Sequence, residues 1–209
     1  MSCGINAQAQ THDRYTALIL LCRYGYGEKL VDAVQLLVGD CKINPNNKTE
    51  HGSNAIHFLC QNPSLKSAKQ FKSVVELLVN HGADAKAADG PGDTALTRLC
   101  RYSKISNLLD AIHFLVLDFQ LEPTQTNQEG ENALHSLCAN ESDTDLVSVA
   151  RFLIVDRGVF VNTKVSRIYS GFCLLLLLFG FVMESRINQP DCGCCYSLCF
   201  HYFYRNKQV

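Results

Sequence analysis

Four cysteines and two histidines recur at near-constant spacing and are the first candidates for chemistry. Cys22, Cys60, Cys100 and Cys138 close four copies of one heptapeptide: Thr16-Ala-Leu-Ile-Leu-Leu-Cys22, Asn54-Ala-Ile-His-Phe-Leu-Cys60, Thr94-Ala-Leu-Thr-Arg-Leu-Cys100 and Asn132-Ala-Leu-His-Ser-Leu-Cys138. The copies start 38, 40 and 38 residues apart. Thiolates and imidazoles bind zinc, and thiolates are nucleophiles. Sulfurs on neighbouring packed helices, however, lie about 10 Å apart, whereas a disulfide needs α-carbons within about 7 Å. The spacing therefore predicts buried free thiols that act as small apolar groups. His57 and His135 share one place in their copies, which favours a structural hydrogen bond between helix start and connector over catalysis or metal binding. His12, His51, His81 and His113 stand alone, without a thiol or acidic partner at ligand spacing. No Gly-rich phosphate loop, serine nucleophile elbow or His-Glu-x-x-His helix occurs. The expectation is a protein that is not an enzyme and needs no cofactor.

Each heptapeptide reads as a helix start. Thr16, Asn54, Thr94 and Asn132 can accept hydrogen bonds from the first free N–H groups, and Ala follows each of them. Gly52, Gly92 and Gly130 precede three of the copies and mark turns. A second apolar stretch follows each heptapeptide, at Leu30–Val38, Val74–Val79, Leu108–Val116 and Leu146–Val155. The unit is helix, loop, helix, connector. Neither helix can bury its apolar face alone, so units of this period must stack side by side.

These residues resemble ankyrin repeats. His81-Gly-Ala-Asp-Ala-Lys-Ala-Ala-Asp89 followed by Gly92-Asp-Thr-Ala-Leu-Thr97 is similar to that family's connector and helix opening. Gly130-Glu-Asn-Ala-Leu-His135 and Gly52-Ser-Asn-Ala-Ile-His57 match the opening, and Arg157-Gly-Val-Phe-Val-Asn162 the exit of the second helix. The departures are consistent: Ala stands where the family has Pro, and Cys closes the heptapeptide where Ala is usual. The units also run longer than the family's, with the excess placed mainly between the helices at Gln61–Phe71. The resemblance implies an all-α, ankyrin-type α-solenoid over residues 10–164, with units starting near 16, 54, 94 and 132 and a leader at 1–9. It implies a non-catalytic scaffold that binds a protein partner through connector tips and first helices lining a concave face. The residues to which it assigns recognition are Asn46, Lys48, Glu50 and His51, then Lys86, Asp89 and Asp93. Arg98 and Arg101 on the third first helix, and Gln125, Asn127 and Glu129 at a later tip, complete the set.

Composition narrows the partner. The net charge of −1 argues against nucleic acid, which requires a clustered basic surface. Through Lys164 the chain carries 18 acidic and 15 basic residues, a mildly acidic balance suited to protein partners. No Trp occurs, so binding hot spots would use Tyr, Phe, Arg or Leu. The opening segment to Arg14 is polar and has no secretory signal pattern, so the expected location is the cytosol, where thiols stay reduced.

Repeat grammar stops after Lys164. Residues 165–209 hold 9 of the 19 aromatic residues and 5 of the 11 cysteines. Residues 168–183 carry no charge and would form an apolar helix about 24 Å long at about 1.5 Å per residue, short against a bilayer core of about 30 Å. Three readings stay open: a membrane anchor with the repeats facing the cytosol, a hydrophobic cap on the last repeat, or a tail foreign to the fold. The tail's Cys192, Cys194, Cys195, Cys199 and His201 have zinc-ligand chemistry, but Cys194 and Cys195 are adjacent and no Cys-x-x-Cys pair is separated by a loop from another. The anchor reading predicts that the full chain resists alkaline-carbonate extraction from membranes while a 1–164 truncation does not; equal solubility of both forms would eliminate it.

Overall fold

The computed structural model describes residues 6–140 and 146–159. The expectations for the tail at 165–209, its helix at 168–183 and its cysteine group lie outside the described residues, as do residues 160–164 of the repeat region. Among the described residues the chain is helical and contains no strand, only isolated bridges such as Gln10 with Thr16 and Ala88 with Thr94.

The four heptapeptides become the first helices of four pairs: α1 (Ala17–Tyr24), α3 (Ala55–Cys60), α5 (Ala95–Tyr102) and α7 (Ala133–Cys138). Each begins one residue after its expected cap. The Thr16 side chain accepts from Ile19 N, Asn54 from Ile56 N and His57 N, Thr94 from Thr97 N, and Asn132 from Leu134 N and His135 N. The caps satisfy backbone donors that no helical carbonyl can reach.

The second helices are α2 (Leu30–Gln35), α4 (Ala68–Asn80), α6 (Leu108–His113) and α8 (Leu146–Arg151). Helix α4 starts before the expected Val74. Ser67 caps it through Gln70 N, and Ala68, Phe71, Val75 and Leu78 continue one buried stripe. The extra residues of that unit are thus helix from Ala68 onward, and only residues 61–67 connect.

Helices α2, α6 and α8 each run on into a wide π-helical turn, Leu36–Asp40, Phe114–Asp118 and Phe152–Asp156. The reason is a single additional residue. The exit bond spans Leu78 to Ala83 after α4, but Leu37 to Ile43, Leu115 to Leu121 and Leu153 to Val159 in the other three. The residues at both ends of these spans are buried or nearly so. Widening the last turn absorbs the insertion without moving them. A left-handed residue then ends each exit: Lys42 (φ 53°), Gly82 (φ 92°), Gln120 (φ 54°) and Gly158 (φ 65°).

The pairs pack in two rows. Helix α1 contacts α3, α3 contacts α5 and α5 contacts α7; α2, α4, α6 and α8 contact one another in the same order. One continuous core runs between the rows, with Leu18, Leu59, Leu99 and Leu137 contributed by the first row and Val34, Phe71, Leu78, Leu108 and Leu153 by the second. Cys22, Cys60, Cys100 and Cys138 are all buried and unpaired, as their spacing predicts.

Side chains also tie first helices together end to end. Asn62 Nδ2 donates to Cys22 O (2.9 Å) and Gly25 O (2.8 Å), while its Oδ1 accepts from Ser64 N (2.9 Å). Asn140 repeats this on Cys100 O (2.8 Å) and Ser103 O (3.2 Å). Both asparagines thus fill carbonyls left open where the preceding first helix ends. Asn62 is only 2% exposed, so Asn62→Ala would leave the buried Cys22 carbonyl and the part-buried Gly25 carbonyl and Ser64 N–H without their partner. A loss of about 2 kcal/mol is expected, read as a lowered urea midpoint with helicity intact; an unchanged midpoint would show that the clamp is dispensable.

Candidate functional site

The connector tips, to which the sequence reading assigns recognition, are four five-residue turns at 11–15, 49–53, 89–93 and 127–131. In each, the first N–H donates to the fifth carbonyl: Thr11 to Tyr15 (3.0 Å), Thr49 to Ser53 (2.9 Å), Asp89 to Asp93 (3.0 Å) and Asn127 to Glu131 (2.9 Å). The fourth N–H returns to the first carbonyl, which forces a positive φ at Arg14 (64°), Gly52 (78°), Gly92 (89°) and Gly130 (81°). Glycine takes this conformation without strain.

Successive tips are bonded backbone to backbone. Glu50 N donates to Asp13 O (3.3 Å), Gly90 N to His51 O (2.8 Å) and Gln128 N to Pro91 O (3.0 Å). The approach is close enough that a Cβ at Gly52 would stand 2.7 Å from Gly90 N. The tips therefore advance in a fixed register, one per helix pair.

Beneath them lies a buried polar network. The Asp89 carboxylate, fully inaccessible, pairs with Arg98 and accepts from Asp93 N (2.7 Å). Ser53 Oγ of the preceding unit joins this pair at 3.3 Å from Arg98 Nη2. Arg101 pairs with Glu131 of the next unit, and Asn127 Nδ2 links Asp93 Oδ1 (2.8 Å) to Glu131 Oε2 (3.3 Å). Burying these charges is tolerable because each has a partner of opposite sign and further hydrogen bonds.

The recognition residues assigned from the sequence divide into two groups. Lys48, Glu50, His51, Lys86, Gln125 and Glu129 are exposed. Asp89, Asp93, Arg98, Arg101 and Asn127 are brought together, but inside the network, where they bond one unit to the next. Asn46 is exposed yet also bridges units, with Nδ2 on Gly82 O (2.6 Å) and Oδ1 accepting from Asp84 N (2.8 Å). Ser53 and Glu131 complete the network and were not foreseen. A signal for them exists in the sequence: the segment 16–62 aligns without gaps on 94–140. Thr16, Cys22, Arg23, Tyr24, Pro45, Gly52, Asn54, His57, Cys60 and Asn62 all return 78 residues later (94 − 16). The first unit and the start of the second thus return in the third and the start of the fourth, and Ser53 corresponds to Glu131.

His57 joins helix start to connector as expected. Its Nε2 lies 3.1 Å from Asp93 O, which can only accept, so Nε2 carries the proton and Nδ1 accepts from Asn54 N (3.2 Å). Burial, reinforced by the nearby Arg98 cation, pushes its pKa down from 6.5 to about 4. Burial likewise raises the Cys22 and Cys138 thiols to about 12 and those of Cys60 and Cys100 further. At neutral pH these thiols are protonated and poor nucleophiles.

Neither a family model nor a curated protein matches the sequence.

The His57 shift has a measurable consequence. The unfolded chain takes up a proton on this residue near pH 6.5 and the folded chain only near 4. Between those values the unfolded state binds more protons, so His57 lowers stability as pH falls, by up to about 1.4 kcal/mol per pH unit. The urea midpoint should fall between pH 6.5 and 5 in the natural chain and fall less steeply in His57→Gln. Parallel pH profiles would show that His57 does not carry the effect.

Proposed function

We propose that the chain is a non-catalytic protein-interaction scaffold of the ankyrin type. In this reading its stacked helix pairs form an α-solenoid, and its connector tips and first helices hold a protein partner. The observation that carries this proposal is the bonded register of the tips. Glu50, His51, Gln128 and Glu129 project from backbone whose position is already fixed by the neighbouring tip. A surface ordered before the partner arrives avoids much of the entropy cost of association. The Asp89–Arg98 pair ties a tip to the helix that follows it, and the Arg101–Glu131 pair ties that helix to the tip of the next unit, which adds to this stiffness.

In the alternative proposal the same scaffold is tethered to a membrane by residues 168–183, on the strength of their uncharged sequence. Among the described residues no helix is long and apolar enough to cross a membrane.

The scaffold proposal is tested by site-specific photocrosslinking in cells. A benzophenone side chain is placed at Glu50 or Glu129 on the tips, and at Asp32 or Glu76 on the exposed surface of the second row. Adducts with a common protein are expected several-fold more often from the tip positions. Equal or stronger crosslinking from Asp32 and Glu76 would move the binding face to the second helices and overturn the assignment.

A further inference from the structure

The correspondence of 16–62 with 94–140 supplies an internal comparison between two arginines at equivalent positions. Arg101, near the end of α5, pairs with the Glu131 carboxylate of the next unit. Its counterpart Arg23, near the end of α1, has Ser53 where Glu131 would stand. Ser53 is itself engaged with Arg98 and Asp89. Among the described residues no carboxylate pairs with Arg23.

Arg23 is held by aromatic rings instead. Its guanidinium carbon lies 5.1 Å from the Tyr24 ring centroid, 5.3 Å from that of Phe58 and 6.0 Å from that of Tyr15. Tyr15 and Phe58 pack against each other at 5.4 Å. A single hydrogen bond, Arg23 Nη1 to Tyr15 Oη at 3.1 Å, fixes the group further. Contacts of this kind occupy the faces of the guanidinium and leave its N–H edges for a planar acceptor. Tyr24 is 59% exposed and Leu20, on the same helix, 38%, so apolar surface lies beside an oriented cation.

We propose that Arg23, bedded on Tyr15, Tyr24 and Phe58, is the docking point for a glutamate or aspartate side chain of the protein partner, flanked by apolar residues that rest on Tyr24 and Leu20. The chemistry is that of the Arg101–Glu131 pair, with the carboxylate delivered by the partner instead of the next unit. An arginine fixed in place loses little freedom on pairing, and a charge-assisted, two-point contact favours a carboxylate over its amide. The proposal rests on the scaffold reading above and names the partner chemistry at one end of it.

The experiment is an NMR titration of the full chain labelled with 15N-arginine, using the peptide Ac-Gly-Leu-Glu-Leu-Gly-NH2 and its Gln counterpart as probes. The Arg23 Nε–Hε signal should shift and saturate with the Glu peptide, with the Arg101 signal unmoved. The Gln peptide should bind about tenfold more weakly, as expected for loss of a charge-assisted pair. Read by isothermal titration calorimetry, which does not need the Arg23 signal, Arg23→Gln should abolish binding of the Glu peptide and Arg23→Lys should retain part of it. Absence of an Arg23 shift in the natural chain, or equal affinity for the two peptides, overturns the proposal whatever the variants do. So does tighter binding of inorganic phosphate than of the Glu peptide at Arg23, which would make this a phosphate site. Binding that moves only other arginines would overturn the Arg23 site while leaving the scaffold reading intact.

Discussion

Three backbone hydrogen bonds, one at each junction between tips, set the register on which the rest of the structure depends. A helix pair cannot cover its own apolar faces, and a neighbour shifted by one residue along the tip would not present the carbonyl that the next N–H needs. Asp13 to Glu50, His51 to Gly90 and Pro91 to Gln128 are therefore steps of a single ladder. Gly52 and Gly90 are required there because any side chain would drive adjacent tips apart. Once the ladder is in place, the equivalent positions Leu18, Ile56, Leu96 and Leu134 of the first row all fall in the core.

The polar interior is arranged to serve that register. Asp89, Arg98 and Ser53 join the second unit to the third, and Arg101, Asn127, Asp93 and Glu131 join the third to the fourth. Asn62 and Asn140 close the ends of α1 and α5. Each of these side chains belongs to one unit and satisfies a group in another, so no unit is complete by itself. In the scaffold reading proposed above, binding falls to what is left over at the surface. The first two units keep an aromatic-bedded arginine where the last two have an internal ion pair.

Much of the local structure was legible in the sequence. Thr16, Asn54, Thr94 and Asn132 cap their helices because a short polar side chain before an Ala-led apolar run leaves few other options. The burial of the four cysteines and the structural bond of His57 also followed from position within the repeat. Helix α4 was under-read, since Ala68-Lys-Gln looks polar until Phe71 reveals the stripe. The π turns at Leu36–Asp40, Phe114–Asp118 and Phe152–Asp156 were missed because a one-residue insertion leaves hydrophobic periodicity on both sides unchanged. The closer correspondence of 16–62 with 94–140 was present in the sequence and was masked by the single repeat.

The sequence by itself determined the number of helix pairs, where the first helices begin and which faces are apolar, because capping and periodicity act over a few residues. Only the tertiary structure decided which charged residues are surface and which are structural. Asp89 and Glu129 both sit on polar tips, at the first and third positions, and residue type does not separate them. The first is buried against Arg98, with Ser53 of the preceding unit beside it, and the third is exposed, a difference that only the folded and stacked tips show. The same reason distinguishes Arg23 from Arg101. Each follows Cys and precedes Tyr, and the difference lies in Ser53 and Glu131, 30 residues further along the chain in each case and adjacent only after the units stack.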